Sequence, residues 1–184
     1  MGRQLSEMTL EELWQLFPII LTEHRDEWEA WFREERERLI PLLPEGSAIS
    51  HIGSTAIRGI WAKPIVDILA ELPNGAELPA AAETLAANGY IVMSRAEDRI
   101  SLNRGYTPQG FAERVFHLHL RYAGDNDEIR FCDYLNGHPE DAKEYEKLKL
   151  ALWKEYEHDR DGYTRAKSDF VAGIMRRAER KTGR

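Results

Sequence analysis

The chain has little of what a secreted, membrane-spanning or nucleic-acid-coating protein needs. It contains one cysteine in 184 residues, which excludes an internal disulfide framework and fits a reducing compartment. No run approaches the roughly 18 apolar residues of a membrane span. Acidic residues outnumber basic ones, 32 to 25, whereas nonspecific nucleic-acid binding needs clustered positive charge. We therefore expect a cytoplasmic protein that binds neither membranes nor extended nucleic acid, although a small anion could bind where cations gather locally.

The sequence also lacks internal repeats, low-complexity tracts and linkers. Its composition, 42% hydrophobic and 31% charged, is typical of globular proteins. A chain of this length fills one ordinary domain and is short for two. We expect residues 1–184 to form a single domain, with a core at about residues 18–122 and helices at about residues 126–181.

Apolar periodicity and turn residues predict the secondary structure. Thr9 and Glu12 form a capping box that starts a short helix, and a strand is expected at Pro18–Thr22. An amphipathic helix should run from about Arg25 to Leu43, and a turn of helix follows Ser54. Further strands are predicted at 48–52, 64–72, 90–93, 99–104 and 114–122, and further helices at 78–88, 127–135, 139–156 and 161–181.

The segment from Ile49 to Leu72 carries the most chemical information. Gly53, Ser54 and Thr55 follow a strand and open a helical turn, so their backbone N–H groups and hydroxyls could bind a phosphate. A glycine-dependent turn with a polar cap is the simpler interpretation of these residues alone. Asp67 interrupts the next apolar strand, where an unpaired buried carboxylate is costly. Together the turn and Asp67 suggest a phosphate site with a divalent cation.

Histidines on a later strand extend this hypothesis. His117 and His119 are two residues apart, so both imidazoles should project from one face, as metal ligands, acid–base groups or satisfied half-buried side chains. His51 could face the same cavity. Lys63 and Arg104 are candidate phosphate contacts.

Two other polar or reactive residues are expected to have no role in this site. Glu71 lies about 13 Å along the strand from Asp67 at the roughly 3.3 Å rise per residue, so it is expected to be a solvated strand end. Cys132 is expected to be a small buried hydrophobe rather than a catalytic thiol.

Several motifs in order make the chain resemble a known family. They are His51-Ile52-Gly53-Ser54-Thr55-Ala56, Ala62-Lys63-Pro64-Ile65-Val66-Asp67-Ile68, His117-Leu118-His119, Arg130-Phe131-Cys132-Asp133-Tyr134-Leu135 with His138-Pro139, and Tyr145-Glu146-Lys147-Leu148-Lys149. The chain resembles the GrpB family, which is placed in the nucleotidyltransferase superfamily. The match runs nearly from end to end.

The resemblance implies an α+β fold: a two-layer nucleotidyltransferase-like core with a mixed sheet packed by helices, and a helical C-terminal third. It assigns Gly53 and Ser54 to the Gly-Ser motif of the superfamily and Asp67 to its acidic strand. It also implies a nucleotide or phosphorylated small molecule as ligand, with Mg²⁺ or Mn²⁺ as cofactor.

The chain departs from the superfamily pattern at the acidic positions. Active members carry a second acid two residues away on the same strand, where this chain has Ile65 and Leu69, and the third acid falls on the strand of His117 and His119. Three hypotheses remain open. The protein is a transferase with one cation held by Asp67 and His119, a catalytically inactive nucleotide-binding or protein-interaction module, or a protein with a different phosphate chemistry.

Overall fold

A computed structural model describes residues 4–181 of the chain. Within that range the helices are α1 (Leu10–Leu16), α2 (Glu27–Leu39), α3 (Leu78–Ala87), α4 (Asp127–Gly137), α5 (Pro139–Glu155), α6 (Arg160–Ala166) and α7 (Ser168–Lys181). The strands are β1 (Ala48–Ile52), β2 (Val66–Leu72), β3 (Ile91–Arg95), β4 (Arg99–Thr107) and β5 (Gly110–Tyr122). Short 3-10 turns occupy Leu5–Glu7, Ile40–Leu42 and Ser54–Ala56. No helix in the described range is long and apolar enough to span a membrane.

The five strands form one mixed sheet in the order β1-β2-β5-β4-β3. Only β2 and β5 run parallel, and the other neighbouring pairs are antiparallel. A parallel pair needs a long crossover connection. Here α3, β3 and β4 lie in the chain between the two parallel strands, so the central pair joins segments that are distant in sequence.

Side chains alternate between the two faces of the sheet, and the main hydrophobic core covers one of them. Val66, Ile68 and Ala70 of β2 are fully buried on this face, beside Phe116 and Leu118 of β5. Helices α2 and α3 supply the opposing layer through apolar side chains at helical spacing: Trp28, Phe32, Leu39, Leu78, Ala82 and Leu85. The α+β core with helices packed on a mixed sheet is the predicted architecture.

The helical C-terminal third packs against the opposite face, near β1 and β2. Leu69, which points away from the main core, joins Phe131 and Leu135 of α4 in a second apolar cluster. Tyr145 of α5 and Ile174 of α7 belong to the same cluster. These helices cover part of the face and leave its polar residues beside them.

The N-terminal segment differs in one respect from the prediction. The capping box is confirmed, because the Thr9 amide donates to the Glu12 carboxylate and the Glu12 amide donates to the Thr9 hydroxyl. The expected strand at Pro18–Thr22 is wrong. It makes a single bridge, between Thr22 and Ala62, and Ile19 instead buries its side chain in a cluster with Tyr163.

Candidate active site

The strand register builds a row of side chains across the face opposite the main core. Asp67 of β2 pairs with Ile52 of β1 on one side and with His117 of β5 on the other. His117 pairs in turn with Asn103 of β4, and Asn103 with Ile91 of β3. Because directly paired residues lie on the same face of a sheet, all five side chains project toward the helical third.

Asp67 is held by the two histidines that the sequence placed on its face. Its Oδ1 lies 3.2 Å from Nδ1 of His117 and 3.7 Å from Nε2 of His119. Only 26% of the Asp67 side chain is exposed. Burial favours the neutral acid, but hydrogen bonding and attraction to the histidines are stronger together and lower the pKa of Asp67 well below its usual value. The carboxylate is therefore ionised at neutral pH.

A hydrogen-bonded chain leads outward from Asp67. The Tyr106 hydroxyl lies 2.8 Å from Nε2 of His117 and accepts a 2.7 Å hydrogen bond from Nη1 of Arg160. Because a guanidinium only donates, the tyrosine proton is directed to Nε2, and Nδ1 of His117 then carries the proton that faces Asp67. Burial lowers the pKa of His117, against the opposing effect of Asp67, so the imidazole is neutral at pH 7.

Gly53 allows the Gly53–Ser54 turn to lie against the Asp67 carboxylate. Its φ of 74° and ψ of −172° lie in a region that glycine almost alone adopts. A Cβ at this position would come within 2.4 Å of Oδ2 of Asp67. The next residue, Ser54, lies beside the Tyr145 phenol, whose pKa burial raises to about 12. The Gly-Ser turn and the acidic strand therefore meet, as the sequence predicted.

Cys132 closes the back of this turn. The thiol is buried and donates to the Gly53 carbonyl at 3.5 Å. Burial raises its pKa to about 12, so it is not a thiolate at neutral pH. The burial expected for Cys132 is confirmed.

Three lysines contact aromatic rings at the edge of the site. Nζ of Lys63 and of Lys167 lie 5.7 and 4.3 Å from the centre of the Tyr163 ring. Lys149, 1% exposed, donates to the Trp61 carbonyl and lies over Tyr145.

The charge state of these lysines is sensitive to what binds beside them. Burial, followed by the positive charges of Lys167 and Arg160, lowers the pKa of Lys63 to about 7. Burial also lowers the pKa of Lys167 to about 8 and that of Lys149 to about 7. A neighbouring anion would raise the pKa of these lysines and so favour their charged form. The cluster is a favourable place for a phosphate chain.

Several of these residues were not predicted to form a site. Arg160, Tyr163 and Lys167 recur at helical spacing on one face of α6 and just beyond it, and Lys149 falls on the buried face of α5 with Tyr145. A lysine within an apolar helix face is the signal that could have identified Lys149. Nothing in the local sequence around Tyr106 marks it.

Three candidate ligand residues lie elsewhere. Arg104 is paired with Phe116, on the main-core face of the sheet, and its guanidinium binds Glu35 of α2. His51 is on that face too, stacked on Phe32 with Nδ1 3.2 Å from Glu29. The Thr55 hydroxyl is buried, 2.9 Å from Nε2 of His51, and donates to a backbone carbonyl. The prediction that these side chains face the site is wrong. Alternation along the strands places Arg104 and His51 on the opposite face, and the Thr55 hydroxyl is buried in other hydrogen bonds.

Glu71 also differs from the prediction. It is 9% exposed rather than solvated, and its Oε1 accepts hydrogen bonds from the Gly124 amide at 2.9 Å and the Asn126 side chain at 3.0 Å. The carboxylate ties the end of β2 to the turn after β5. Glu71 is thus not part of the proposed cation site, as expected, and its contacts stabilise the fold.

The side chains fit one divalent cation better than two. Among the described residues no group of three or more His, Cys, Asp and Glu side chains is arranged to hold a metal. Oδ1 of Asp67 faces the histidines and Oδ2 lies beside Gly53. Mg²⁺ commonly binds through one or two carboxylates together with substrate phosphates. The donor set therefore fits a single ion that shares phosphate oxygens, and it does not fit the two ions that several carboxylates would support.

Comparison with known proteins identifies a family and several relatives in sequence. The profile of the family described as "GrpB protein" matches residues 18–177. The glutamate-rich protein GrpB of Alkalihalophilus pseudofirmus is 36% identical over 163 residues, which cover 85% of this chain and 94% of that protein. A UPF0157 protein of Pseudomonas aeruginosa is 36% identical over 155 residues, covering 82% of this chain but 64% of its relative.

Solved structures share the fold. Conserved protein GrpB from Enterococcus faecalis is 27% identical, with a TM-score of 0.77 over 90% of this chain and all of that one. A chain of the GLD-2/RNP-8 complex is 18% identical, with a TM-score of 0.50 over 83% of this chain and 59% of that one, a likeness in fold alone. The nucleotidyltransferase-like α+β fold expected from the sequence is confirmed. The chain belongs to the GrpB family.

Proposed function

We propose that the chain binds a nucleoside triphosphate, or a similar phosphorylated small molecule, beside Asp67 and transfers a nucleotidyl group from it to a hydroxyl acceptor. The observation that carries the proposal is the convergence of the Gly53–Ser54 turn, the ionised Asp67 and the lysine cluster beside one face of the sheet. Fold alone does not establish a reaction. We place the activity in the cytoplasm, as the single cysteine indicates.

The proposed phosphate contacts come from two sides. On one side are the backbone amides of the Gly53–Ser54 turn and the hydroxyl of Ser54. On the other side are Lys63 and Lys167, which lie beside the Tyr163 ring. Arg160 adds a guanidinium, which matches phosphate geometry. In this arrangement the basic side chains offset much of the phosphate charge. In other phosphoryl-transfer enzymes, metal ions held by carboxylates offset that charge.

One cation, Mg²⁺ or Mn²⁺, completes the proposed site. Asp67 would hold it, with His119 as a second protein ligand and phosphate oxygens in the remaining positions. When bound, the ion neutralises phosphate charge and orients the phosphates. Because residues 4–181 offer few ligands, we expect the ion to bind tightly only together with the nucleotide.

The hydrogen-bonded chain from Tyr106 to Asp67 accounts for the proton of the acceptor. The acceptor oxygen bonds to the α-phosphorus while the bond from that phosphorus to the bridging oxygen breaks and pyrophosphate leaves. The acceptor proton passes to the Tyr106 oxygen as the Tyr106 proton moves to Nε2 of His117. Asp67, 3.2 Å from Nδ1, stabilises the resulting imidazolium, as a carboxylate does beside a catalytic histidine.

The competing candidate is a module that binds nucleotide without transferring it, or that serves a protein partner through its helical third. The single carboxylate favours it, because Ile65 and Leu69 flank Asp67 where a second acid would be needed. The transferase and the inactive nucleotide-binding module both predict nucleotide binding at the Gly53–Ser54 turn, whereas the protein-interaction module does not. Only the first predicts release of pyrophosphate.

Calorimetric titration with ATP, GTP, CTP and UTP, each with Mg²⁺ or Mn²⁺, tests binding. We expect at least one nucleotide to bind, and Lys167→Gln to weaken it about tenfold or more, as the loss of a charge-assisted contact does. Lys147→Gln is the matched control, since Lys147 lies on the exposed face of α5 with its side chain 70% accessible. Equal effects of the two variants would remove the lysine cluster from the site.

The same titration carries a pH signature. Free Lys63 and Lys167, with pKa values of about 7 and 8, are largely unprotonated at pH 9, and a bound phosphate raises their pKa. Binding at pH 8 should therefore take up at most about 0.9 proton at Lys63 and about 0.5 proton at Lys167, and affinity should fall as the pH rises from 6 to 9. Heats in buffers of different ionisation enthalpy measure this uptake. Absence of heat with all four nucleotides would end the proposal.

Catalysis is tested by pyrophosphate release from the bound nucleotide in the presence of candidate hydroxyl acceptors. Asp67→Asn and Tyr106→Phe should each lower the rate by about 100-fold or more, the usual effect of losing a member of a general-base chain. Both variants should keep the α+β circular-dichroism spectrum. Rates that survive both changes would exclude the chain from Tyr106 to Asp67 as the route of the acceptor proton, and absence of pyrophosphate release by the unsubstituted chain would favour the binding module.

A further inference from the structure

A cavity lies beside the proposed site, at the edge of the sheet. It has a volume of about 450 Å³, within the range of small-molecule pockets. Its walls are apolar side chains of α1, the residue that follows it, and β3: Leu10, Leu13, Trp14, Phe17, Ile91 and Met93. None of these residues belongs to the phosphate site.

The cavity borders that site. Tyr106 and Arg160, which form the hydrogen-bonded chain to His117, are also part of its wall. Ile91 stands in the same register row as His117, separated from it by Asn103 alone. At about 4.8 Å between strands, the two positions are about 10 Å apart, a distance that one small molecule can span.

The walls of this cavity are incompletely packed against other protein groups. Three large hydrophobic residues are substantially exposed here: Leu10 at 57%, Ile91 at 40% and Met93 at 53%. Helix α1 itself contains no fully buried residue. Exposed apolar side chains gathered in one concavity are characteristic of a binding site.

The chemistry of the walls selects the occupant. A nucleobase needs hydrogen-bond partners along its edges, and the aliphatic and aromatic walls would leave those polar groups unpaired at a cost of about 1–3 kcal/mol each. Polar groups gather at one end, where Arg160 offers positive charge, Tyr106 a hydroxyl and Asp161 a carboxylate. An apolar body with one hydroxyl or anionic end fits this division.

We propose that this cavity binds a small amphiphilic molecule, its hydrocarbon or aromatic body between α1 and β3 and its hydroxyl or anionic end at Tyr106 and Arg160. The assignment of that molecule as the acceptor rests on the proposed nucleotidyl transfer. Binding itself does not depend on it. An acceptor hydroxyl placed at Tyr106 would stand at the start of the chain that leads to His117 and Asp67.

Titration of the chain with octanoate and 1-octanol, without nucleotide, tests the binding. We expect saturable binding of at least one probe, and Met93→Asp to weaken it tenfold or more because the charge would be buried beside the hydrocarbon. Leu10→Asp, on the opposite wall, should have the same effect. Ile40→Asp is the matched control, since Ile40 is 46% exposed and lies away from the cavity, and it should change the affinity by less than twofold.

Three outcomes would overturn the proposal. They are no saturable binding of either probe, equal weakening by Ile40→Asp and Met93→Asp, and displacement of the probe by ATP, which would place nucleotide in the cavity. An affinity for octanoate that changes less than threefold at saturating ATP supports two separate sites. Because the probes are titrated alone, failure of nucleotide binding leaves this result unaffected.

Discussion

Gly53 is the residue whose identity the site constrains most. Its backbone conformation, φ 74°, costs other residues about 1–3 kcal/mol, and a Cβ would overlap both Oδ2 and Cβ of Asp67. We expect Gly53→Ala to lower the free energy of unfolding by about 3 kcal/mol or more, since the strain and the overlap add. Urea denaturation measures this loss.

Gly75→Ala separates the two contributions. Gly75 has a φ of 91° but nothing within 4 Å of its hypothetical Cβ, so its substitution carries conformational strain alone, about 1–2 kcal/mol. A Gly53→Ala chain no less stable than Gly75→Ala would show that contact with Asp67 does not require glycine.

The residues of the site differ in how far the sequence could predict them. Asp67, His117 and His119 follow from alternation along two strands, because period-2 spacing fixes which side chains share a face. Their pairing required only that β2 and β5 be neighbours. Lys149 and Tyr106 could not be placed in this way, because their partners, Trp61 and His117 with Arg160, are contacts of tertiary packing.

Among the elements, α2 is fixed to the outer strands by one buried carboxylate. Glu35, 4% exposed, accepts hydrogen bonds from the Tyr90 hydroxyl and the Arg104 guanidinium, and Arg38 lies 3.4 Å away. Burial, with the charge of Glu35, raises the pKa of the Tyr90 phenol. Arg104, which the sequence suggested as a phosphate contact, thus stabilises the attachment of α2 to the sheet.

Removal of this carboxylate should destabilise the fold strongly. Glu35→Ala leaves Arg104 and the Tyr90 hydroxyl without their partner, and breaking a buried ion pair costs about 3–5 kcal/mol. Glu34→Ala is the control, because Glu34 pairs with Arg114 while 63% exposed, and surface pairs contribute about 0–1 kcal/mol. Chemical denaturation of both variants compares them, and similar losses would contradict the anchoring role of Glu35.

The prediction of elements failed where apolar composition had two explanations. Residues 18–22 have the composition of a strand, but Ile19 and Leu21 bury against Tyr163. The Ile19 amide donates to the Glu157 carbonyl at 2.8 Å rather than to a neighbouring strand. Sequence periodicity detects burial and cannot identify the partner. The five strands of the sheet were all anticipated, because each also carried turn residues at its ends.

At the scale of the whole molecule, the helical third is bonded to the core at several separate points. Trp153 of α5 donates to the Ile19 carbonyl at 2.5 Å, and the Trp61 amide donates to Glu146 at 2.6 Å. The Arg58 amide donates to Asn136 of α4 at 2.9 Å. Contacts this numerous between two segments are unlike a domain boundary, where few contacts cross.

We therefore propose that residues 1–184 fold as a single domain, and we expect one cooperative unfolding transition. Helix content followed by circular dichroism and tryptophan fluorescence should give coincident urea midpoints, because Trp28 reports on the main core and Trp153 on the helical third. The substitutions Trp28→Phe and Trp153→Phe assign the fluorescence change to each region. Separate midpoints for the two tryptophans would mean that the helical third unfolds independently. In that case the lysine cluster, formed by Lys63 before β2, Lys149 of α5 and Lys167 after α6, would be lost before the sheet that carries Asp67.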